Sequence, residues 1–179
     1  MPKVFLSPSL QEFNPYVGGG NEEYYMNLIA DAMEPYLQRS GIEFDRNSPS
    51  QTLSQAIAQS NAGNYDLHFA IHSNASPQTS SGKARGVQFY YYPTSSKGKK
   101  FADIAAENYS DVYPLNDKIN ILSTTSLAEV KRTKAPAVLA EVAYHDNVED
   151  ANFIRENIDN IARNLSESIA QFLGVPFVG

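Results

Sequence analysis

A chain of 179 residues is long enough for one domain with a proper core, and 20 acidic against 14 basic side chains leave it a net charge of −6. That balance offers no basic stripe for nucleic acid. The lack of any cysteine excludes a disulfide framework, a thiolate metal site and a thiol nucleophile. Metal ligands would have to be His, Asp, Glu or neutral oxygen donors. No apolar run approaches the roughly 20 residues that span a bilayer, so membrane insertion is not expected. Residues 1–6 are too soon interrupted for a secretion signal, and synthesis in the cytoplasm without a signal peptide is the expectation.

The apolar run Val4-Phe5-Leu6 reads as a short buried strand. A polar loop follows over 7–21, holding Pro8, Pro15 and the triplet Gly18-Gly19-Gly20; in a compact domain a loop this long is functional or disordered. Asn21 suits the N-cap of a helix, and Glu22 and Glu23 suit its positive end. Met26, Ile29, Ala30, Met33 and Leu37 then recur at helical spacing. Pro35 kinks that helix or marks its last turns, and Gly41 ends it. Residues 42–44 form a second strand. Leu53, Ala56, Ile57 and Ser60 make a shorter helix that stops at Ala62-Gly63.

The run 66–72 is a third strand that closes on His72 and opens into the polar turn Ser73-Asn74-Ala75. A Ser/Asn/Gly loop to Lys83 precedes a strand over 86–92, with Val87, Phe89 and Tyr91 on one face. Phe101, Ile104, Ala105 and Asn108 suit a helix whose Lys97, Lys99 and Lys100 decorate a solvated face. Residues 119–122 and 137–142 give two more strands, the latter central. Ala151, Ile154, Ile158, Ile161, Leu165, Ile169 and Phe172 give one long helix stopped by Gly174. Alternating strands and helices predict an α/β three-layer sandwich, a mostly parallel twisted sheet of about six strands flanked by helices, forming a single domain over 1–179.

Two residues carry chemistry. His72 ends a strand at the sheet rim where α/β proteins collect their sites. Glu141 is a lone carboxylate in the apolar strand 137–142. Buried without a partner it is costly, and carboxylates so held have raised pKa values and work as general acids and bases. The plain alternative is an ion pair with a lysine or arginine. His68 and His72 share a face but sit roughly 13 Å apart at ~3.3 Å per residue, too far to share one ion. His72 is therefore the ligand candidate, and His68 a packed, hydrogen-bonded histidine. Glu22 and Glu23 read first as helix-dipole partners. The pattern suggests a hydrolytic metal site.

Val-Phe-Leu-Ser-Pro-Ser at 4–9, Gly-Gly-Asn-Glu at 19–22, Ala-Ile-His-Ser-Asn-Ala at 70–75 and Ala-Pro-Ala-Val-Leu-Ala-Glu-Val-Ala-Tyr-His-Asp-Asn at 135–147 together resemble the zinc-dependent N-acetylmuramoyl-L-alanine amidases. These are the catalytic domains of phage endolysins, bacterial autolysins and sporulation amidases. The resemblance covers nearly the whole chain, including Lys131-Arg132-Thr133-Lys134 and the strand with Tyr90 and Tyr91. It implies a peptidoglycan hydrolase that cuts between N-acetylmuramic acid and L-alanine, acting on the cell wall after lysis or during sporulation. His72 would match a zinc histidine, Glu141 the catalytic glutamate, and Glu22, or Glu23 one residue on, the zinc glutamate. The family's Gly-His-Gly turn is replaced here by Ser7-Pro8-Ser9-Leu10-Gln11-Glu12. Alignment puts Leu10 or Gln11 at the missing first ligand, with Glu12 and His145 as other candidates for the third donor. Tyr90, Tyr92 and the 74–83 loop would line the glycan groove. The missing histidine also leaves open a degenerate amidase fold that binds muropeptide or a protein partner without catalysis. An α/β hydrolase of the serine type lacks its Gly-x-Ser-x-Gly elbow here.

Overall fold

In the computed structural model, which describes Met1–Gly179, six strands form one sheet. They are β1 (Lys3–Pro8), β2 (Glu43–Arg46), β3 (Leu67–Asn74), β4 (Val87–Tyr91), β5 (Ile119–Ser123) and β6 (Ala137–Tyr144), in the order β2-β1-β3-β6-β4-β5. All neighbours run parallel except β4 and β6, which are antiparallel. The helices are α1 (Glu22–Arg39), α2 (Leu53–Ala62), α3 (Ser96–Tyr109), α4 (Ala128–Lys131), α5 (Val148–Glu156) and α6 (Ile158–Leu173). The expected mostly parallel α/β sandwich is the observed fold.

Strand alternation sorts the two faces of the sheet. Val4 and Leu6 of β1, Phe69 and Ile71 of β3, Val138, Ala140 and Val142 of β6, and Val87 and Phe89 of β4 enter one core, with Met26, Ile29 and Met33 of α1, Phe101 of α3 and Leu165 and Ile169 of α6. The register puts the other residues side by side on the opposite face. Phe5, His68 and Ala137 form one row, Ser7, Ala70, Leu139 and Tyr90 the next, and His72, Glu141 and Gln88 the third. This second face holds only a small apolar patch, Ala70, Val130 and Leu139, with Tyr90, Tyr92 and Leu127 packed on it. The polar site occupies the rest.

Some expectations need correction, and one helix was not foreseen. The third strand does not stop at His72; it continues to Asn74 through a register shift between His72 and Asn74. The single long helix expected over 151–172 is two, broken at Asn157, whose side-chain amide donates to Phe153 O at 2.9 Å and competes with the helical ladder. The four-residue α4 carries no sequence period at all. The expected caps are present: the Asn21 side chain accepts from Tyr24 N at 2.8 Å, and Gly174 ends α6 in the left-handed region. Pro35 sits in the last turns of α1, on its solvent side. The loop expected over 7–21 begins only after Pro8, since Ser7 and Pro8 belong to β1, and it is ordered. Its glycines at 18, 19 and 20 take φ of 84°, 107° and 81°, which only glycine adopts freely, and Tyr16 N donates to Gly20 O at 2.9 Å.

Candidate active site

The site is built where the 9–21 loop, the start of α1 and the ends of β3 and β6 meet. Glu22 is the first residue of α1 and 1 % exposed. Its neighbour Glu23 turns away, beside Tyr24, Asn27 and Asp31. The helix start therefore presents one carboxylate inward, and of the two it is Glu22 that reaches His72. The shift in β3 buries Ser73, whose N–H points at Glu22 Oε1 at 3.4 Å. Bulges commonly re-aim groups beside active sites in this way.

Both nitrogens of His72 face carboxylates. Nδ1 lies 3.0 Å from Glu22 Oε1, and Nε2 lies 2.9 Å from Glu129 Oε2. Gln11 brings its amide nitrogen to 3.3 Å from Nδ1. Asn14 ties the loop together, its side-chain N–H₂ donating to Gln11 Oε1 at 2.8 Å and to Glu22 Oε2 at 2.7 Å. Burial alone would neutralise His72, but the hydrogen bonds to Glu129 and Glu22 outweigh it and raise its pKa well above the usual value. Burial likewise pushes Glu22 up, and His72 and Asn14 bring it below the ordinary carboxylate range. For Glu129 the bonds from His68 and His72 overcome burial and hold the carboxyl down at about 2.

Glu141 stands apart from these pairs. It lies beside His72 in the β3–β6 register, yet its Oε2 is buried with no hydrogen-bond partner. No lysine or arginine pairs with it, so the ion-pair alternative is not what the fold built. Burial pushes its pKa up to about 7; the His72 charge opposes this and the Glu22 charge adds to it. Glu141, His72, Glu129 and Gln11 line one pocket of about 540 Å³, whose apolar wall comes from Pro8, Leu10, Phe13, Leu53, Leu127 and Leu139. Phe13 and Leu53 are exposed at its mouth. Tyr90 and Tyr92 are half-buried on the adjoining patch.

The donor set decides how a zinc ion would fit. No group of three or more His, Asp or Glu side chains converges as a metal site. Glu22 Oε1 and the Gln11 amide do approach His72 Nδ1 at 3.0 and 3.3 Å, close to the ~3.3 Å edge of a tetrahedron with bonds of 2.0–2.1 Å. A carboxylate facing an imidazole nitrogen at that distance needs a cation between them, a proton or a metal. The set thus offers zinc two strong donors, His72 and Glu22, and Gln11 adds a third only by turning its amide oxygen inward, against its bond with Asn14. The other candidates for a third donor lie elsewhere. Glu12 is exposed, and His145 bonds Ser73 Oγ at 3.0 Å and stacks on Tyr16. Leu10 contributes only pocket wall.

Glu129, Asn14 and Ser73 are the site residues that sequence reasoning missed. His68 is packed and hydrogen-bonded as expected, to Ser60 Oγ at 2.8 Å and to Glu129 Oε1 at 3.1 Å. The two histidines share a carboxylate rather than an ion.

Against known proteins, the family model described as N-acetylmuramoyl-L-alanine amidase matches residues 13–171. No curated protein sequence matches the chain. Solved structures are similar in fold. The catalytic domain of CwlV, an N-acetylmuramoyl-L-alanine amidase from Bacillus (Paenibacillus) polymyxa var. colistinus, has a TM-score of 0.85 at 19% identity, covering 98% of this chain and 100% of that one. The N-acetylmuramoyl-L-alanine amidase AmiC2 of Nostoc punctiforme gives 0.84 at 17% identity, covering 97% of both chains. The catalytic domain of the CD27L endolysin, which targets Clostridia difficile, gives 0.76 at 22% identity, covering 96% of this chain and 98% of that one.

Proposed function

The chain belongs to the N-acetylmuramoyl-L-alanine amidase family, and on that premise we propose that it hydrolyses the lactyl–L-alanine amide of peptidoglycan with Glu141 as general base and acid. The observation that carries this reading is Glu141 itself: a carboxyl raised to about 7, with an unpartnered buried oxygen, on the wall of the pocket. A carboxylate kept so costly serves no packing purpose. A pKa near the working pH is what a group that both takes and returns a proton requires.

In this reading ionised Glu141 takes a proton from water, and the water oxygen bonds to the scissile carbonyl carbon. As the carbon–nitrogen bond breaks, Glu141 returns the proton to the departing L-alanine nitrogen. Leu10, Phe13, Leu53, Leu127 and Leu139 exclude solvent and receive the aliphatic parts of the lactyl–alanyl segment. Glu22 and His72, with Gln11 turned, are the residues that would hold zinc. The ion would supply Lewis acidity to the carbonyl and to the water.

A second reading, a degenerate fold that binds muropeptide without cutting it, is favoured by one observation, the donor set one strong ligand short. Digestion of purified peptidoglycan separates the two. The amidase reading expects new L-alanine amino termini, lost in Glu141→Gln, while the glycan stays intact with either protein. Binding of wall fragments with no new amino termini at any zinc concentration would leave only the binding module.

A further inference from the structure

Glu129 is a buried ionised group that the reaction above does not use. It is 4 % exposed and belongs to the short helix α4. Its Oε1 accepts from the Ser7 hydroxyl and from His68 Nε2, the latter at 3.1 Å, while Oε2 accepts from His72 Nε2 at 2.9 Å. His68 is fixed in turn by Ser60 of α2 through Nδ1. A continuous buried chain, Ser60–His68–Glu129–His72, thus runs from α2 to the imidazole that meets Glu22.

We propose that Glu129 is the positioning residue of the site, locking the His72 ring so that Nδ1 faces Glu22 and Gln11. The proposal rests on the reading of that edge of His72 as the working one. An imidazole has two nitrogens, and the bond made by one decides where the other points. Without Glu129, Nε2 would face the pocket unpaired and the ring could turn over. Glu129 cannot itself rotate, because three donors on β1 and β3 hold its two oxygens. Its helix is pinned too: Thr133 Oγ1 donates to Glu129 O at 2.7 Å, and Val130 packs into the Ala70–Leu139 patch. With Leu10 or Gln11 where the resemblance puts the family's first histidine, the hold on a cation leans more heavily on His72, and so on the carboxylate behind it.

The test uses the whole chain with Glu129→Gln, which keeps the size of the side chain but removes its charge and one acceptor. Two readouts are taken: the His72 ring N–H signal by NMR in zinc-free protein, and zinc affinity by competition with a chromophoric chelator. The variant should lose the protected ring N–H and bind zinc about 10–100-fold more weakly, with unchanged circular dichroism. If Glu129→Gln does not fold, Ser7→Ala removes one anchor of Glu129 without touching the ring, and should move both readouts in the same direction by less. An unchanged ring signal with wild-type zinc affinity overturns the proposal. If the wild type neither holds zinc nor releases stem peptide, the amidase reading fails by itself, and the ring signal alone still decides the role of Glu129.

Discussion

Replacing Glu141 by glutamine should make the protein more stable at high pH while removing its activity. The unfolded carboxyl ionises near its ordinary 4.5, and the folded one near 7. Between those values the folded state binds more protons than the unfolded state. This group therefore lowers stability as pH rises from 4.5 to 7, and by its full amount above 7. Complete burial would make that amount about 3 kcal/mol. Glu141 keeps an edge on the open pocket, and solvent screening there reduces the working figure to about 1–2 kcal/mol. Glutamine keeps the shape and carries no charge, so the comparison reads the Glu141 titration together with its coupling to His72 and Tyr90. Urea unfolding of wild type and Glu141→Gln at pH 4.5 and pH 8, in chelator, isolates the effect. The variant should gain about 1–2 kcal/mol on the wild type between the two pH values, while amide hydrolysis falls by about 10²–10⁴-fold. Parallel pH profiles of stability would show that the carboxyl is not held at a raised pKa, and the argument for a poised base would go with it.

The same raised pKa sets the rate profile. kcat/KM for muropeptide should climb with pH through about 7 as Glu141 loses its proton, and a rate falling between pH 6 and 8 would contradict its role as base. Gln11→His would place an imidazole beside His72 Nδ1 and should tighten zinc at least about tenfold, read as zinc retained per chain after desalting; unchanged retention would place the third donor elsewhere. Outside the hydrogen bonds of the site, Asp150 is fully buried and accepts from Arg85, Tyr113, Gly86 N and Tyr144 N. Asp150→Asn should cost about 2–4 kcal/mol in urea unfolding by leaving these donors badly matched, with zinc affinity unaltered.

Most of the fold was legible because its strands alternate and its helices keep their period. Val87, Phe89 and Tyr91 declared the buried face of β4, and Met26, Ile29, Met33 and Leu37 that of α1. Where reading failed, a side chain had intervened in the backbone. The 151–172 segment keeps its apolar spacing across Asn157, and only the Asn157–Phe153 bond, a local side-chain bond to the backbone four residues back that the apolar period does not register, interrupts it. α4 is a single turn, too short for any period. The antiparallel step from β6 to β4 depends on how the long 74–86 connection returns, and local spacing does not encode that.

The site divides along the same line. Glu141 and His72 could be picked out because each breaks an apolar strand, and the cost of burying such a group is itself a signal. Glu22 could not be told from Glu23 until the turn of α1 was known, since a helix start welcomes both carboxylates and only one points inward. Glu129 gave no signal, lying in a polar segment, Ala128–Lys131, where a glutamate costs nothing in sequence terms. Yet the 13 Å estimate between His68 and His72 already contained a clue. Two histidines on one face of a buried strand, too far apart to share an ion, each need an acceptor. The roughly 13 Å is a backbone spacing; where the two rings lean together one carboxylate can accept from both, one oxygen each, so the pair called for a buried acid from outside the strand. Chain order adds that it must come from an element covering the thinner side of the sheet, where α2 and α4 are the helices available.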